Sequence, residues 1–488
     1  MGFSSHDSPV VVIGAGLAGL AAAVYLVRAG RPVVLVEAGD THGGCCSTTR
    51  VEGFVFNNGA IYVAVPSLLR RAFERLGMDL DAEAPLLPVA RPFSSHLEDG
   101  SVVHLADRER SYVAGPHGEE RTRILRADLD RLQRDWAPVY RGLVDHVLPH
   151  GPSPWNALRR LGPHLHKLRG RADALIRRSF ADPGIQAAVA SLLLYTGVPP
   201  ERLPASQIIG LLALLEEGFH VPRDGMGAIS DALFRHAHGA GVDMRMGQRV
   251  ECIEVAGGRA SGVRLAGGER IAASGVVATT AGFEVVERLL APGQVPRRLA
   301  RAARSAPLSH RAVSIQLGGC APAADGAFIV NHVPALERQG RMHQLQAGRP
   351  EWLSYTVPSR VSNGLAPIGK STIELFAPAP GDRDMPGPLR EAEELVARYL
   401  EALHHRLPGL SIDTMRVIDP VAFEQDRHLY AGALYGIRPG VPPHRLFPHR
   451  SGIPGLHLAG QTTFPGYGVG PAIWSGIQSA EALCRAAD

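Results

Sequence analysis

Between Pro9 and Glu37 the apolar positions fall into three blocks with different patterns. Val10 to Ile13 is an unbroken, mostly β-branched run, bounded by proline and glycine, and predicts a short buried strand. The Ala-rich apolar stretch that follows, through Leu26, predicts a helix. Arg31 to Val36 predicts a second buried strand that ends at Glu37. Farther along, Gly247–Val255 and Gly262–Leu265 read as hairpin strands around Gly257-Gly258, and Gly275–Thr280 as a buried strand. The stretch 91–221 is mostly helical by periodicity, whereas 301–414 alternates strands and loops; neither internal repeats nor low-complexity tracts interrupt the chain.

The turn between the first strand and the helix is Gly14-Ala15-Gly16-Leu17-Ala18-Gly19. In such a turn the first glycine permits the tight bend, the second lets backbone approach a pyrophosphate, and the third lets the helix pack close to the strand, with the helix N-terminus facing the anion. Glu37, followed by Ala38, lies 23 positions after Gly14 and is placed to accept hydrogen bonds from an adenosine ribose. Strand, turn, helix and acid agree, so the segment is a dinucleotide site; the acid argues against a 2′-phosphate and leaves FAD or NAD.

Gly43-Gly44 follows, then Ser47-Thr48-Thr49 and Gly53-Phe54-Val55-Phe56-Asn57-Asn58-Gly59. Here the chain resembles the FAD-dependent phytoene desaturase and carotenoid isomerase family, within the amine oxidase flavoprotein superfamily. The resemblance extends through Leu194 to Pro200, Pro204-Ala205, Pro222 to Gly227, Arg249-Val250 with Ile253 to Val255, Pro358-Ser359, Leu365 to Gly369, and Leu458 to Val469 with Ser475-Gly476. It implies FAD as cofactor, held by Gly14, Gly16, Leu17, Ala18, Gly19, Glu37, Ala38, Gly43, Gly44, Val250, Gly460, Gly468 and Val469. The final helix is expected to begin near Pro471.

The departures from that family are specific. Cys45 and Cys46 stand where an Arg commonly follows the Gly-Gly pair, so backbone N–H groups and the helix dipole are expected to carry the pyrophosphate charge. Asn57 replaces a usual Asp, Asp224 a Gly, Phe464 a common His and Tyr467 a common Gly, and Gly470-Pro471 inverts a Pro-Gly. Tyr467 is expected to shorten the pocket.

The implied fold class is α/β: a discontinuous Rossmann-like FAD-binding domain, 8–90, 222–300 and 415–488, plus a mixed α+β substrate lobe, 91–221 and 301–414. Composition agrees with a globular protein of more than one lobe: 488 residues, 45% apolar and 20% charged, without an apolar run long enough to cross a bilayer. A net charge of +4 gives no electrostatic case for nucleic acid. Only Lys167 and Lys370 among the 51 basic residues are lysine, which reads as codon bias. Five cysteines without metal or redox spacing, and a short polar Met1–Pro9, lead us to expect a cytoplasmic protein without an export signal. Leucines at helical spacing among arginines over 158–178 form a candidate peripheral contact with the inner face of a membrane; the competing reading, a solvated helix whose leucines meet the core, is favoured.

No metal site is expected: His164-x-His166 lacks a third ligand. Glu216, Glu217 and Tyr467 are the catalytic candidates, and Tyr195, His220, Phe464 and Tyr467 the candidate pocket wall. The expected activity is hydride transfer between flavin and a largely apolar small molecule, by desaturation, saturation or isomerisation of C=C. The alternatives are an amine oxidase-type catalyst acting on a C–N bond, and a non-catalytic partner-binding protein on the same fold. A single glycine turn argues against a second dinucleotide domain, making oxygen or a quinone the expected electron acceptor. The sequence assigns no oligomeric state.

Overall fold

The run Val10–Ile13 is the central strand of a five-stranded parallel sheet, in the order Asp243–Arg245, Val33–Val36, Val10–Ile13, Gly275–Ala278, Leu456–Leu458. Val10 lies opposite Val33 on one side and Gly275 on the other. Both faces are covered, which is why these strands read as continuous apolar runs rather than as alternations. Val10 and Val12 meet the core containing the helix Leu17–Arg28, while Val11 and Ile13 meet a second core built with the antiparallel strands Val250–Ala256, Arg259–Leu265 and Arg270–Ala272. The structure, a computed structural model, describes residues 8–151, 153–321, 326–341, 345–346, 349–379 and 392–486. Residues 1–7, on which the expectation of no export signal mainly rests, lie outside them.

The last helix, Val469–Cys484, begins two residues before the expected start and crosses the helix Leu17–Arg28. Contact is close because Gly476 has no side chain: a Cβ there would fall 2.1 Å from Ala18 O. The first and last helices thereby lie together over one face of the parallel sheet.

A second sheet has eight strands, in the order Ser411–Ile418, Ala312–Cys320, Ser371–Pro378, Leu353–Thr356, Ile329–His332, Phe93–His96, Val102–Leu105, Tyr112–Ala114. Its pairs are antiparallel except Ile329–His332 with Phe93–His96. Val313, Ile315, Tyr355 and Leu375 pack with Leu395, Tyr399 and Leu403 of the helix Ala392–Arg406. The helical reading of 91–221 holds for most of that stretch, with one addition, and one expected boundary is corrected. The stretch 91–221 opens with three strands before its helices begin at Gly118, because Ser94 and Ser95 are buried within the sheet and hide the apolar alternation. The boundary at 415 falls inside the strand Ser411–Ile418, whose pairing with Ala312–Cys320 assigns it to the larger sheet.

The basic stretch 158–178 is not one helix. It divides into a helix Pro154–Leu161, a 3-10 segment Gly162–Leu168 and a helix Ala172–Ser179, broken at Gly162-Pro163 and Gly170. Leu161, Leu175 and Ile176 are buried, whereas Leu158 is 52% exposed. No described helix is long and apolar enough to cross a membrane.

Candidate functional site

One cavity of about 1000 Å³ runs from the glycine turn into the second sheet. Gly14 turns the chain at φ +101°, and a Cβ there would lie 2.7 Å from Thr279 Oγ1. Gly19 lies off the cavity and serves packing: its Cβ would fall 1.8 Å from Gly14 O. Gly16 is different. Its φ of −73° suits any residue, and a Cβ would meet no protein atom within 4 Å, because it would project into the cavity. Gly14, Gly16, Leu17 and Ala18 all line the wall.

The segments expected to meet there do so. Gly43 donates its N–H to Ala15 O at 2.8 Å and, with Gly44, takes a positive φ before lining the cavity. Gly460, Gly468 and Val469 line it from the other end of the chain, and Val250 beside the first sheet. The helices beginning at Leu17 and Val469 have glycine N-caps without side-chain hydrogen bonds, so two uncapped N-termini meet one cavity wall. Backbone N–H groups and the positive end of each dipole make such termini anion sites.

Glu37 and Ala38 also line the cavity. Glu37 Oε2 accepts from Ala15 N at 2.6 Å and Oε1 from Gly39 N at 2.8 Å, which fixes the carboxylate and leaves lone pairs for further donors. His428 Nε2 lies 3.8 Å from Glu37 Oε1, and its Nδ1 is 3.3 Å from Arg249 Nη2. Burial holds the His428 imidazole below its ordinary value, against the pull of Glu37.

The expectation that no cation serves the Gly43-Gly44 loop is corrected. Arg427, at the end of the helix Pro420–Arg427, places Nη1 3.5 Å from Ser47 Oγ, and its Nε is buried without a hydrogen-bond partner. Arg427 and Arg249 both line the cavity, as do two further buried polar atoms without partners, Thr280 Oγ1 and Gln248 Oε1. Cys45 and Cys46 can supply no positive charge, and burial, which pushes both thiols up, Cys45 to about 11, keeps them from adding a negative one. A glycine cradle that a Cβ would fill, two uncapped helix starts, an acid and two guanidinium groups fit the pyrophosphate and ribose of FAD.

Beyond this polar end the wall turns apolar. Leu143, Val147, Leu148 and Leu168 line it from the helical segment, and Tyr62, Tyr195, Tyr435 and Tyr467 from four others. Tyr467 packs on Tyr435 with ring centroids 4.5 Å apart, and its hydroxyl donates to Gln207 Oε1 at 3.3 Å. Burial pushes the Tyr467 phenol up to about 12. Tyr435 OH donates to Tyr195 O, and the Tyr195 hydroxyl bonds Ser354 Oγ. Phe464 also lines the cavity, packed with Val147 and Leu161.

Glu216, Glu217 and His220 do not reach the cavity. Glu217 accepts from Ser67 N, Ser67 Oγ and Tyr140 OH at 2.6–2.9 Å, and Glu216 from Gln133 Nε2 at 3.0 Å. They anchor the end of the helix Ile209–Glu216 to its neighbours rather than presenting a base. His220 sits in a strand paired with Leu86–Pro88.

An acid absent from those expectations does line the cavity. Glu374, in the strand Ser371–Pro378, is 8% exposed and accepts from Asn57 N at 2.8 Å. Its burial pushes the carboxyl up to about 7, with the Asn57 hydrogen bonds opposing the shift. A lone acid in an otherwise apolar strand run, Ile373-Glu374-Leu375-Phe376, was the signal available in the sequence.

The family model described as flavin-containing amine oxidoreductase matches residues 17–484. The phytoene dehydrogenase of Streptomyces griseus is 32% identical, over 97% of this chain and 94% of its own. The hydroxyneurosporene desaturase of Rubrivivax gelatinosus is 31% identical, over 97% and 93%. Among solved structures, putrescine oxidase bound to putrescine is similar with a TM-score of 0.66 at 18% identity, covering 98% of this chain and 99% of that one. An oxidoreductase from Methanosarcina mazei gives 0.66 at 15% identity, covering 97% and 100%. At such identities the structural likeness is one of fold.

Proposed function

This chain belongs to the family of flavin-containing amine oxidoreductases and is an FAD-dependent oxidoreductase, and from that premise we propose that it desaturates a largely apolar small molecule. The observation that carries this reading is the continuity of the cavity, polar at the glycine turn and apolar from Leu143 to Tyr467. In our reading the unit built on the parallel sheet holds FAD and the unit containing the eight-stranded sheet holds substrate. Bound FAD would supply the acceptor for a hydride leaving a C–H bond.

Each residue then has a defined task. The N–H groups behind Gly16 and Gly468, with Arg427, would hold the pyrophosphate, Glu37 the ribose, and Val250 would pack the adenosine end. Leu143, Val147, Leu148, Leu168 and Phe464 exclude water from the substrate, and Tyr467 on Tyr435 sets the length of the chamber. The binding-only alternative does not account for a cradle this complete. Anaerobic incubation of the purified protein separates the enzyme readings: alkenes and polyenes should bleach a yellow flavin spectrum, and amines should not. Bleaching by amines alone would replace desaturation with C–N oxidation.

Delivery of an apolar substrate gives the surface over 154–169 a purpose. Trp155 is 80% exposed and Leu158 52%, on a helix that also exposes Arg159 and Arg160. Among the described residues these two arginines form no ion pair. Beneath lie Leu161 and the cavity-lining Leu168. Apolar side chains rimmed by arginine suit an anionic lipid surface. Co-sedimentation with vesicles containing phosphatidylglycerol should be lost in Trp155→Ser and weakened by salt; equal sedimentation of both proteins would remove the membrane from this reading.

A further inference from the structure

The chain carries an acid where no helix terminus, metal or ion pair calls for one. Glu374 lies between two paired strands, opposite Gln316 on one side and Thr356 on the other, and the strand Phe54–Asn57 is laid against it. The groups facing it are neutral: Gln316, Thr356 and Asn57. Arg416 is held one residue away, its Nη1 donating to Gln316 Oε1 and Asn58 Oδ1, both at 2.8 Å. Arg427 lies beyond, at Ser47.

Asn57 is oriented by its surroundings. Its Oδ1 accepts from Met226 N at 2.9 Å, which turns Nδ2 toward Glu374 Oε2 at 3.5 Å. Gln316 Nε2 donates to Asn57 O at 2.6 Å and fixes the backbone. An aspartate at 57 could satisfy Met226 equally well, but would set a second carboxylate against Glu374. Asn57 and the acid at 374 are thus two halves of one arrangement: the carboxylate belongs to the second sheet and faces the cavity, and residue 57 supplies donors to it.

We propose that Glu374 is the proton acceptor of the desaturation, taking the proton from the carbon next to the one that loses hydride. The inference rests on the desaturase reading above. As hydride leaves with two electrons for the flavin, positive charge builds on the first carbon and makes the neighbouring C–H acidic. The Glu374 carboxylate bonds that proton, and the electron pair of the broken C–H bond becomes the π bond of the new C=C. A carboxylate with no cation in direct contact also stabilises the developing positive charge through a water-poor cavity. Below about pH 7 the group carries its proton and cannot accept another, so turnover should rise through that pH.

The test compares wild type, Glu374→Gln and Asn57→Asp, each purified with flavin and checked for occupancy and Tm. Above pH 8, anaerobic bleaching by the alkene that serves the wild type should slow by about 10²–10⁴-fold in Glu374→Gln, and its rise through pH 7 should vanish. Asn57→Asp should move the rise to higher pH, since two carboxylates sharing a site resist double ionisation. An infrared titration of the resting holoprotein should show a carboxyl losing its proton near pH 7 in wild type, absent from Glu374→Gln. Should the glutamine variant not fold, the Asn57→Asp shift and the wild-type infrared titration decide. A flavin-free wild type, or flavin that no alkene bleaches, brings down the desaturase reading and this inference with it. Bleaching with the same rate and pH profile in all three proteins leaves the desaturase reading standing and overturns the role of Glu374.

Discussion

Arg427 Nη1 stands 3.5 Å from Ser47 Oγ, so a guanidinium from a helix close to the C-terminus reaches the loop that begins at Gly43. It occupies the neighbourhood in which the sequence lacks a cation after Gly43-Gly44. Arg427→Ala should weaken FAD binding by about 1.5–3 kcal/mol, the scale of a hydrogen bond to a charged group. Reconstitution of the stripped protein with FAD measures this directly. Cys45→Arg should weaken binding rather than supply the missing cation: Cys45 packs against the cluster of Ile418, Phe423 and Leu429 and lies beside Arg427. Unchanged affinity in Arg427→Ala would assign the pyrophosphate charge to the helix termini alone.

Gly16 and Gly19 differ in what they protect. Gly16→Val should abolish flavin retention while leaving Tm within a degree or two of the flavin-stripped wild type, because the side chain enters only the cavity. Gly19→Ala should lose about 1–3 kcal/mol or more of stability, since its Cβ meets the Gly14 carbonyl. A fully flavin-loaded Gly16→Val protein would displace the cofactor from this turn.

Glu217 is a structural acid by its partners, and the corresponding prediction separates stability from chemistry. Glu217→Ala leaves Ser67 N, Ser67 Oγ and Tyr140 OH without their acceptor and should cost about 1–3 kcal/mol in urea unfolding. Turnover per bound flavin should not change. A large loss of turnover at unchanged stability would return Glu217 to the catalytic group.

Tyr467 and Tyr435 close part of the apolar chamber by packing on each other. Tyr467→Gly removes that ring and the bond to Gln207, and should admit longer apolar substrates while FAD remains bound. Competition between a short and a long polyene provides the measurement. A wild type that already turns over the long polyene as fast as the glycine variant would show that the ring does not limit the chamber.

Two buried groups contribute opposed pH dependences that nearly cancel between about pH 4.5 and 6.5, so that removing either one exposes the other. Glu374 holds its proton more tightly in the folded state, about 7 against 4.5, so its contribution is whole below pH 4.5 and lost as pH rises through about 7. His457 has the opposite sense: burial, helped by Arg450 and His449, lowers it from 6.5 to about 4, so its contribution is whole above 6.5 and lost as pH falls toward 4. Each spans about 3 kcal/mol. Tm measured from pH 4 to 8 should fall with rising pH between 4.5 and 7 in His457→Gln, where Glu374 acts alone, and fall toward acid from 6.5 to 4 in Glu374→Gln, where His457 acts alone; parallel curves in wild type and both variants would refute the two assignments.

The amino-acid sequence by itself determined the elements whose causes are local. Val10 to Ile13 had to be a buried strand, Gly14 to Gly19 a turn that exposes backbone N–H groups, and Glu37 the end of the next strand, because backbone sterics and apolar runs act within a few residues. The resemblance carried by the motifs also implied that Gly460 and Gly468 share a cavity with the first turn, as they do. What tertiary structure alone decided is which distant side chains share a cavity. Glu216-Glu217 beside a motif looked like a base and proved to be a brace, because Tyr140 and Ser67 come to it from other helices. Arg427 and Glu374 carry no local mark of their places, since Ser47 is 380 residues from one and Asn57 is 317 from the other. Only the packing of the strand Phe54–Asn57 against the larger sheet sets a carboxylate against an amide there, and the energetic consequence of that contact, a buried acid left without a charge partner, exists only once water has been excluded around it.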